Sequence, residues 1–231
     1  MNEKIILEKF LNFDLDSANQ VFQEFASLEN AQFFPEINDS DSFVYIPGSR
    51  KDRVLLVAHA DTVFDNFNGH HEVILDGDIY HSMEYKAGIG ADDRAGCAIL
   101  YFLKDSGHSL LITNGEEIGC RAAHSIKNFH KELFEELSAH RYVIEFDRRN
   151  ANDYKFYNIS VSFEFRKFIE DNTGYKDVEI FSSTDITVLY EKICGVNLSV
   201  GYYYEHFTIE SLNFNEWLNT LNIARKMLAP K

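Results

Sequence analysis

Cysteine is scarce. Three residues, Cys97, Cys120 and Cys194, are too few and odd in number for a disulfide scaffold, and they fit a reducing compartment. Three prolines and 12 glycines exclude collagen-like and proline-rich linker classes. Long apolar runs are missing. Runs such as Val54 to Val57 are far too short to span a bilayer. The stretch Met1 to Lys9 breaks its apolar residues with charge and lacks the uninterrupted core of a signal peptide. Positive charge is also short: 22 Lys and Arg stand against 37 Asp and Glu, a formal net charge of −15. Such a chain repels phosphate backbones and anionic membranes, so neither nucleic acid nor a membrane is an expected partner. These absences together predict a soluble cytoplasmic protein. The acidic excess serves either plain solubility or the gathering of carboxylates around cations.

What is present can build a core. Of the 231 residues, 45% are hydrophobic and 14% aromatic, which excludes an intrinsically disordered chain. Helices are predicted over 5–10 and 17–28, the second with Ser17 and Gln20 spaced as a capping box. A turn-rich stretch follows, with one short strand at 43–46. Four later runs, 54–58, 110–113, 142–146 and 196–200, are short, apolar and rich in β-branched residues or leucine. Such runs suit strands buried on both faces of a parallel sheet. Helical patterns alternate with them at 95–104, 121–128, 131–138 and 211–228. Alternation of this kind predicts a three-layer α/β/α fold with a mainly parallel, mixed central sheet. No linker or repeat is visible, so residues 1–231 read as one domain.

The chemistry collects where the strands end. The first run leads into His59-Ala60-Asp61, the second into Glu116-Glu117, the third into Asp147, and the fourth is followed by His206. Asp92-Asp93 precedes the helix at 95–104. In open α/β sheets ligands bind beyond the carboxyl ends of the strands. Two imidazoles and several carboxylates form the donor set of zinc or a similar divalent ion. Residues two apart in an extended segment point the same way, so Asp61 can accept the second N–H of His59. Glu116 and Glu117 are adjacent and point to different sides, one free to hold a metal and the other to face a water. Residue types alone do not say which.

In the stretches 57–62, 90–96 and 115–119, in Phe146-Asp147 and around His206, the sequence resembles the dinuclear zinc exopeptidase superfamily. That group includes peptidase T, carboxypeptidase G, acyl-amino-acid deacylases and single-domain bacterial leucyl aminopeptidases. The resemblance implies the zinc-exopeptidase (phosphorylase/hydrolase-like) fold and two Zn2+ per chain, with Co2+ or Mn2+ as substitutes. It implies that His59 and Asp147 bind one zinc, Glu117 and His206 the other, and that Asp92 bridges them through a cis Asp92-Asp93 peptide. It also implies Asp61 as the residue orienting His59 and Glu116 as general base. The implied activity is an exopeptidase, an aminopeptidase on short peptides. An N-acyl-amino-acid amidohydrolase and a retired metal- or peptide-binding relative are the alternatives. Glutaminyl cyclases share the fold with a single zinc.

The sequence departs from the lidded members of that group. Only 59 positions separate Asp147 from His206, too few for a dimerisation lid. Tyr202, Tyr203 and Tyr204 are candidate oxyanion donors, with core or strand packing as the plain alternative. Ser182-Ser183-Thr184-Asp185 either lines the pocket or caps a helix. Arg148 and Arg149 either grip a substrate carboxylate or form surface salt bridges. His70-His71 reads as a turn rather than a metal site.

Overall fold

The computed structural model describes residues 2–64, 66–67, 71–157, 159–178, 182–190 and 193–229. Helices α1 (Glu3–Leu11) and α2 (Asn19–Ala26) precede strands β1 (Gln32–Phe34) and β2 (Phe43–Ile46). Strand β3 (Leu55–His59) leads to a hairpin of β4 (Val73–Asp76) and β5 (Ile79–Ser82). Next come α3 (Ala91–Leu103), β6 (Ser109–Thr113), α4 (Arg121–Phe129), α5 (Lys131–Ser138), β7 (Val143–Arg148) and β8 (Asp153–Lys155). The chain continues through α6 (Phe163–Thr173), β9 (Lys176–Asp177), α7 (Asp185–Leu189), β10 (Gly195–Ser199), β11 (Tyr202–Tyr203), β12 (Ser211–Asn213) and α8 (Phe214–Met227).

The central sheet has the order β1-β2-β6-β3-β7-β10-β8-β9. Its middle strands β6, β3, β7 and β10 are mutually parallel, while β2 and β8 join antiparallel on either side. These four are the apolar runs of the sequence, and every residue of β3, β6 and β10 is buried. Their alternate side chains enter two cores. Leu56, Ala58, Ile112 and Ile144 pack with Phe10, Phe25, Ile99 and Trp217 from α1, α2, α3 and α8. Leu55, Val57, Leu111 and Val143 pack with Ala123, Ile126, Leu137 and Ile186 from α4, α5 and α7. A sheet covered on both faces is the predicted three-layer α/β/α arrangement. Trp217 locks one layer: it is fully buried and its Nε1 donates to the Ala95 carbonyl at 3.0 Å, tying α8 to α3.

A second, antiparallel sheet of order β11-β12-β5-β4 stands beside the main one. The connection from β11 to β12 carries His206, so this sheet fixes where the last predicted ligand sits.

Two local expectations are corrected. No capping box forms at Ser17. The helix begins at Asn19 with Ala18 as N-cap, Ser17 Oγ accepts from the Asn19 N–H, and Gln20 Oε1 reaches back to the Asp14 N–H. The segment 211–228 is not one helix. Residues 211–213 pair with β5, and Asn213 then caps α8 by accepting from the Asn215 and Glu216 N–H groups. Pairing with a neighbouring strand overrides the helical pattern there. Helix α6 and the β4–β5 hairpin have no counterpart in the sequence reading. For α6 a signal existed: Ser162 accepts from the Phe165 N–H at the start, and Gly174 adopts a left-handed conformation at the end.

Candidate active site

Three strand ends and two loops converge at the carboxyl edge of the sheet. His59 closes β3, Asp147 lies near the end of β7, and Glu116 and Glu117 follow β6. Asp92 stands at the distorted start of α3, and its peptide bond to Asp93 is cis, as the resemblance implies. The glycine approach to α3 is required there. Gly90 has φ +60°, and a side chain at Gly88 would collide with Phe64 and with the Glu210 carboxylate.

The donor atoms form two groups that share Asp92. His59 Nε2 lies 3.2 Å from Asp92 Oδ1 and 3.4 Å from Asp147 Oδ1. His206 Nε2 lies 3.2 Å from Asp92 Oδ2 and 3.0 Å from Glu117 Oε2. A zinc tetrahedron with bonds of about 2.0–2.2 Å has ligand–ligand edges of roughly 3.3–3.6 Å, so donors at this spacing fit around an ion. A further observation fits a cation: Glu117 Oε1 is buried with no hydrogen-bond partner among the described residues. Asp93 also comes close, but it is engaged otherwise. Its carboxylate accepts from the His59 and Gly96 N–H groups, fixing α3 against β3.

Asp61 does more than the spacing predicts. Its Oδ1 is 3.2 Å from His59 Nδ1, and its two oxygens accept from the Glu116 and Glu117 N–H groups at 3.2 and 3.1 Å. One carboxylate therefore sets both the imidazole and the glutamate turn. Burial alone would raise its pKa; the His59 ring and the two N–H groups outweigh that and hold it below the ordinary value. Glu116 stands outside the donor groups and lines the cavity beside them. Burial, with the Asp147, Asp185 and Asp92 carboxylates around it, pushes its pKa up to about 10. Burial and Asp92 likewise raise Glu117 to about 7. Hydrogen bonds to Asp92 and Glu117 raise His206 to about 11. Burial, together with acids crowded at close range, sets the Glu116 and Glu117 shifts, and bound cations relieve such crowding.

The alternatives left open by the sequence resolve as follows. Tyr202 donates to Asp147 Oδ1 at 3.2 Å, Tyr203 donates to Glu216 away from the site, and Tyr204 is exposed. Thr184 occupies the N-cap position of α7, but its hydroxyl donates to Asp147 Oδ2 at 2.9 Å rather than to the helix. Ser182, Ser183 and Thr184 line the cavity. Arg148 and Arg149 line it too, and each is ion-paired, with Asp153 and Glu205 respectively. His70 lies outside the described residues, and His71 is buried with Nε2 2.8 Å from the Leu11 carbonyl.

One functional residue had no local signal. Glu210 is fully buried and accepts from the Ile89 and Gly90 N–H groups at 2.8 Å each and from the Asp92 N–H at 3.0 Å. It clasps the segment that presents Asp92 from more than a hundred residues away. Burial pushes its carboxyl up to about 8, against the three N–H groups that favour the ionised form. Among the described residues no helix is long and apolar enough to cross a membrane.

No protein-family model matches the chain. No curated protein sequence matches it either. Solved structures do. Aminopeptidase PepT from Bacillus cereus superposes with a TM-score of 0.77 at 12% identity, covering 99% of this chain and 98% of that one. A tripeptidase from Staphylococcus aureus gives a TM-score of 0.72 at 14% identity, covering 99% of each chain. A Thermotoga maritima protein described as an endoglucanase gives 0.59 at 9% identity, covering 96% of each. Function therefore has to be argued from the site rather than from the fold. The fold itself is settled by these likenesses: this chain is built as the solved aminopeptidase and tripeptidase are.

Proposed function

We propose that the chain is a zinc-dependent exopeptidase, an aminopeptidase acting on short peptides, with residues 1–231 forming one catalytic domain. The observation that carries this reading is the pair of donor groups sharing Asp92. The likeness to a solved aminopeptidase and a tripeptidase supports it. His59, Asp147 and Asp92 would hold one ion, and His206, Glu117 and Asp92 the other. Two such ions lower the pKa of a water and polarise a peptide carbonyl.

The chain's own residues supply the rest. Tyr202 and Thr184 donate to opposite oxygens of Asp147 and fix its orientation. Asp61 holds His59 in one tautomer and anchors the backbone that carries Glu116 and Glu117. Glu116 takes the proton of the attacking water and passes it to the leaving amine. Bound cations would offset the neighbouring carboxylates that push its carboxyl up and leave it free to accept that proton.

The test is metal content and hydrolysis of unblocked dipeptides, for the wild type and for two variants. Glu116→Gln keeps about two zinc per chain and loses turnover by about a thousandfold or more. Glu117→Gln loses zinc, because it removes a donor. Near-normal turnover of Glu116→Gln, or a wild type that takes up no zinc on reconstitution, refutes the reading.

A further inference from the structure

The cavity beside the donor groups measures about 290 Å³. That is near the lower end for ligand pockets, room for one small group rather than an extended chain. Apart from the donors and Glu116, its wall includes Arg148, Arg149, Tyr157, Ser182, Ser183 and Glu205. Among the described residues, no Ala, Val, Leu, Ile, Met or Phe lines it. Arg148 is fixed in place: its side chain is 7% exposed, its Nε donates to Asp153, and its Nη2 is buried without a hydrogen-bond partner among the described residues. Arg149 Nη1 donates to Glu205 Oε1 at 2.6 Å. A third cation stands behind the hydroxyls. Lys155 is buried on β8, its Nζ donates to Ser182 Oγ at 3.1 Å and lies 4.8 Å from the Tyr157 ring centre. Apart from the metal donors and Glu116, the charged groups of the wall are thus Arg148, Arg149 and Glu205, with Lys155 behind the hydroxyls; Asp153 and Glu205 are already paired with the arginines.

This wall discriminates between groups by chemistry. An aliphatic group would cover charges and hydroxyls without pairing them, and a site of that kind rejects it. A cationic group would meet the Arg148 and Arg149 guanidinium groups, with Lys155 behind the hydroxyls. A carboxylate would receive charge-assisted hydrogen bonds from guanidinium and hydroxyl donors together. The second cavity, about 450 Å³ on the far side of Glu117, differs: Asp16, Asp39 and Asp61 line it, with no basic side chain among the described residues. Away from the metal donors and Glu116, only the smaller cavity offers guanidinium groups to an anionic group.

We infer that the smaller cavity is a specificity pocket for a carboxylate carried by the substrate, with Arg149 and Arg148 as its cationic wall. This rests on the peptidase reading of the same cavity. The carboxylate has two sources, an acidic side chain at the scissile bond or the free C-terminus of a short peptide.

Matched substrate pairs test this on the zinc-reconstituted full chain. Glutamyl and glutaminyl para-nitroanilide differ only in a side-chain carboxylate. Ala-Ala and Ala-Ala-amide differ only in the terminal one. The expected result is a kcat/KM at least fivefold higher for the carboxylate member of one pair, and that pair identifies the source. Ratios below fivefold in both pairs overturn the inference. In Arg149→Gln/Glu205→Gln, which removes a whole ion pair and leaves net charge unchanged, the ratio is expected to fall toward 1; a ratio kept at the wild-type value overturns the inference. Absence of turnover for every peptide would instead defeat the peptidase reading. The pocket is then read by calorimetric titration of glutarate: binding at least fivefold weaker in the double variant supports it, and equal binding overturns it.

Discussion

Asp61→Asn changes one oxygen to an amide nitrogen and disturbs three contacts at once. The wild-type carboxylate faces the His59 ring and accepts from the Glu116 and Glu117 N–H groups. The side chain is 16% exposed, so water replaces these contacts poorly. An asparagine oxygen can serve two of the three partners. Its NH2 must then face either an N–H donor or the ring, and an unpaired buried donor costs about 1–3 kcal/mol. The two retained contacts lose their ionic character, each weakening by roughly 0.5–1 kcal/mol. The expected loss of stability in zinc-free protein is therefore about 2–4 kcal/mol, read from urea unfolding. His59 also loses the carboxylate that fixes its tautomer, so zinc at the His59 group should weaken by about 10–100-fold, read by competition with a chromophoric chelator. A variant that binds zinc within threefold of wild type and unfolds within about 0.5 kcal/mol of it would refute the claim that Asp61 organises the site.

Glu210→Ala leaves three buried N–H groups without their acceptor, so a stability loss of at least about 3 kcal/mol and weaker binding of both zinc ions are expected in unfolding and metal titrations. Gly96→Ala drives a methyl group into the Phe146 carbonyl and the Asp93 carboxylate, where α3 touches β7; unfolding should show a loss of roughly 1–3 kcal/mol, and a neutral effect would contradict this packing. Acid should also act through His108. Its Nδ1 accepts from the Val54 N–H at 3.0 Å, and burial lowers its pKa. The unfolded chain then binds the proton that the folded chain resists, so this stability is full above pH about 6.5 and is lost as pH falls below it. Between pH 7.5 and 5.5 the wild type should lose more stability than His108→Gln, and parallel curves would remove His108 as the cause.

Much of the fold was legible because burial leaves a direct mark on composition. A strand covered on both faces has to be mostly apolar, and β3, β6, β7 and β10 read that way. The strand at 43–46 and the helix at 131–138 fall on the bounds read from the sequence. Local signals failed where a partner distant in sequence decided the matter. Residues 211–213 carry a helical pattern, yet pairing with β5 makes them a strand. Ser17 has the spacing of a capping box, yet Gln20 is drawn to the Asp14 N–H.

The site divides in the same way. The sequence by itself brought out the imidazoles and carboxylates that gather at the site and their order, since groups at successive strand ends need only a parallel sheet to meet. It could not determine how they are held. Glu210 reaches Asp92 across 118 positions, Thr184 and Tyr202 reach Asp147 across 37 and 55, and no local pattern records such bonds. The charge of the cavity was equally hidden. Arg148 and Arg149 looked like either substrate ligands or surface ion pairs, and only the turn of β7 into β8 beside 182–184 put both arginines on the cavity wall, with Lys155 behind it. Residue identity fixes what chemistry is available. Folding decides which groups are close enough, and dry enough, to use it.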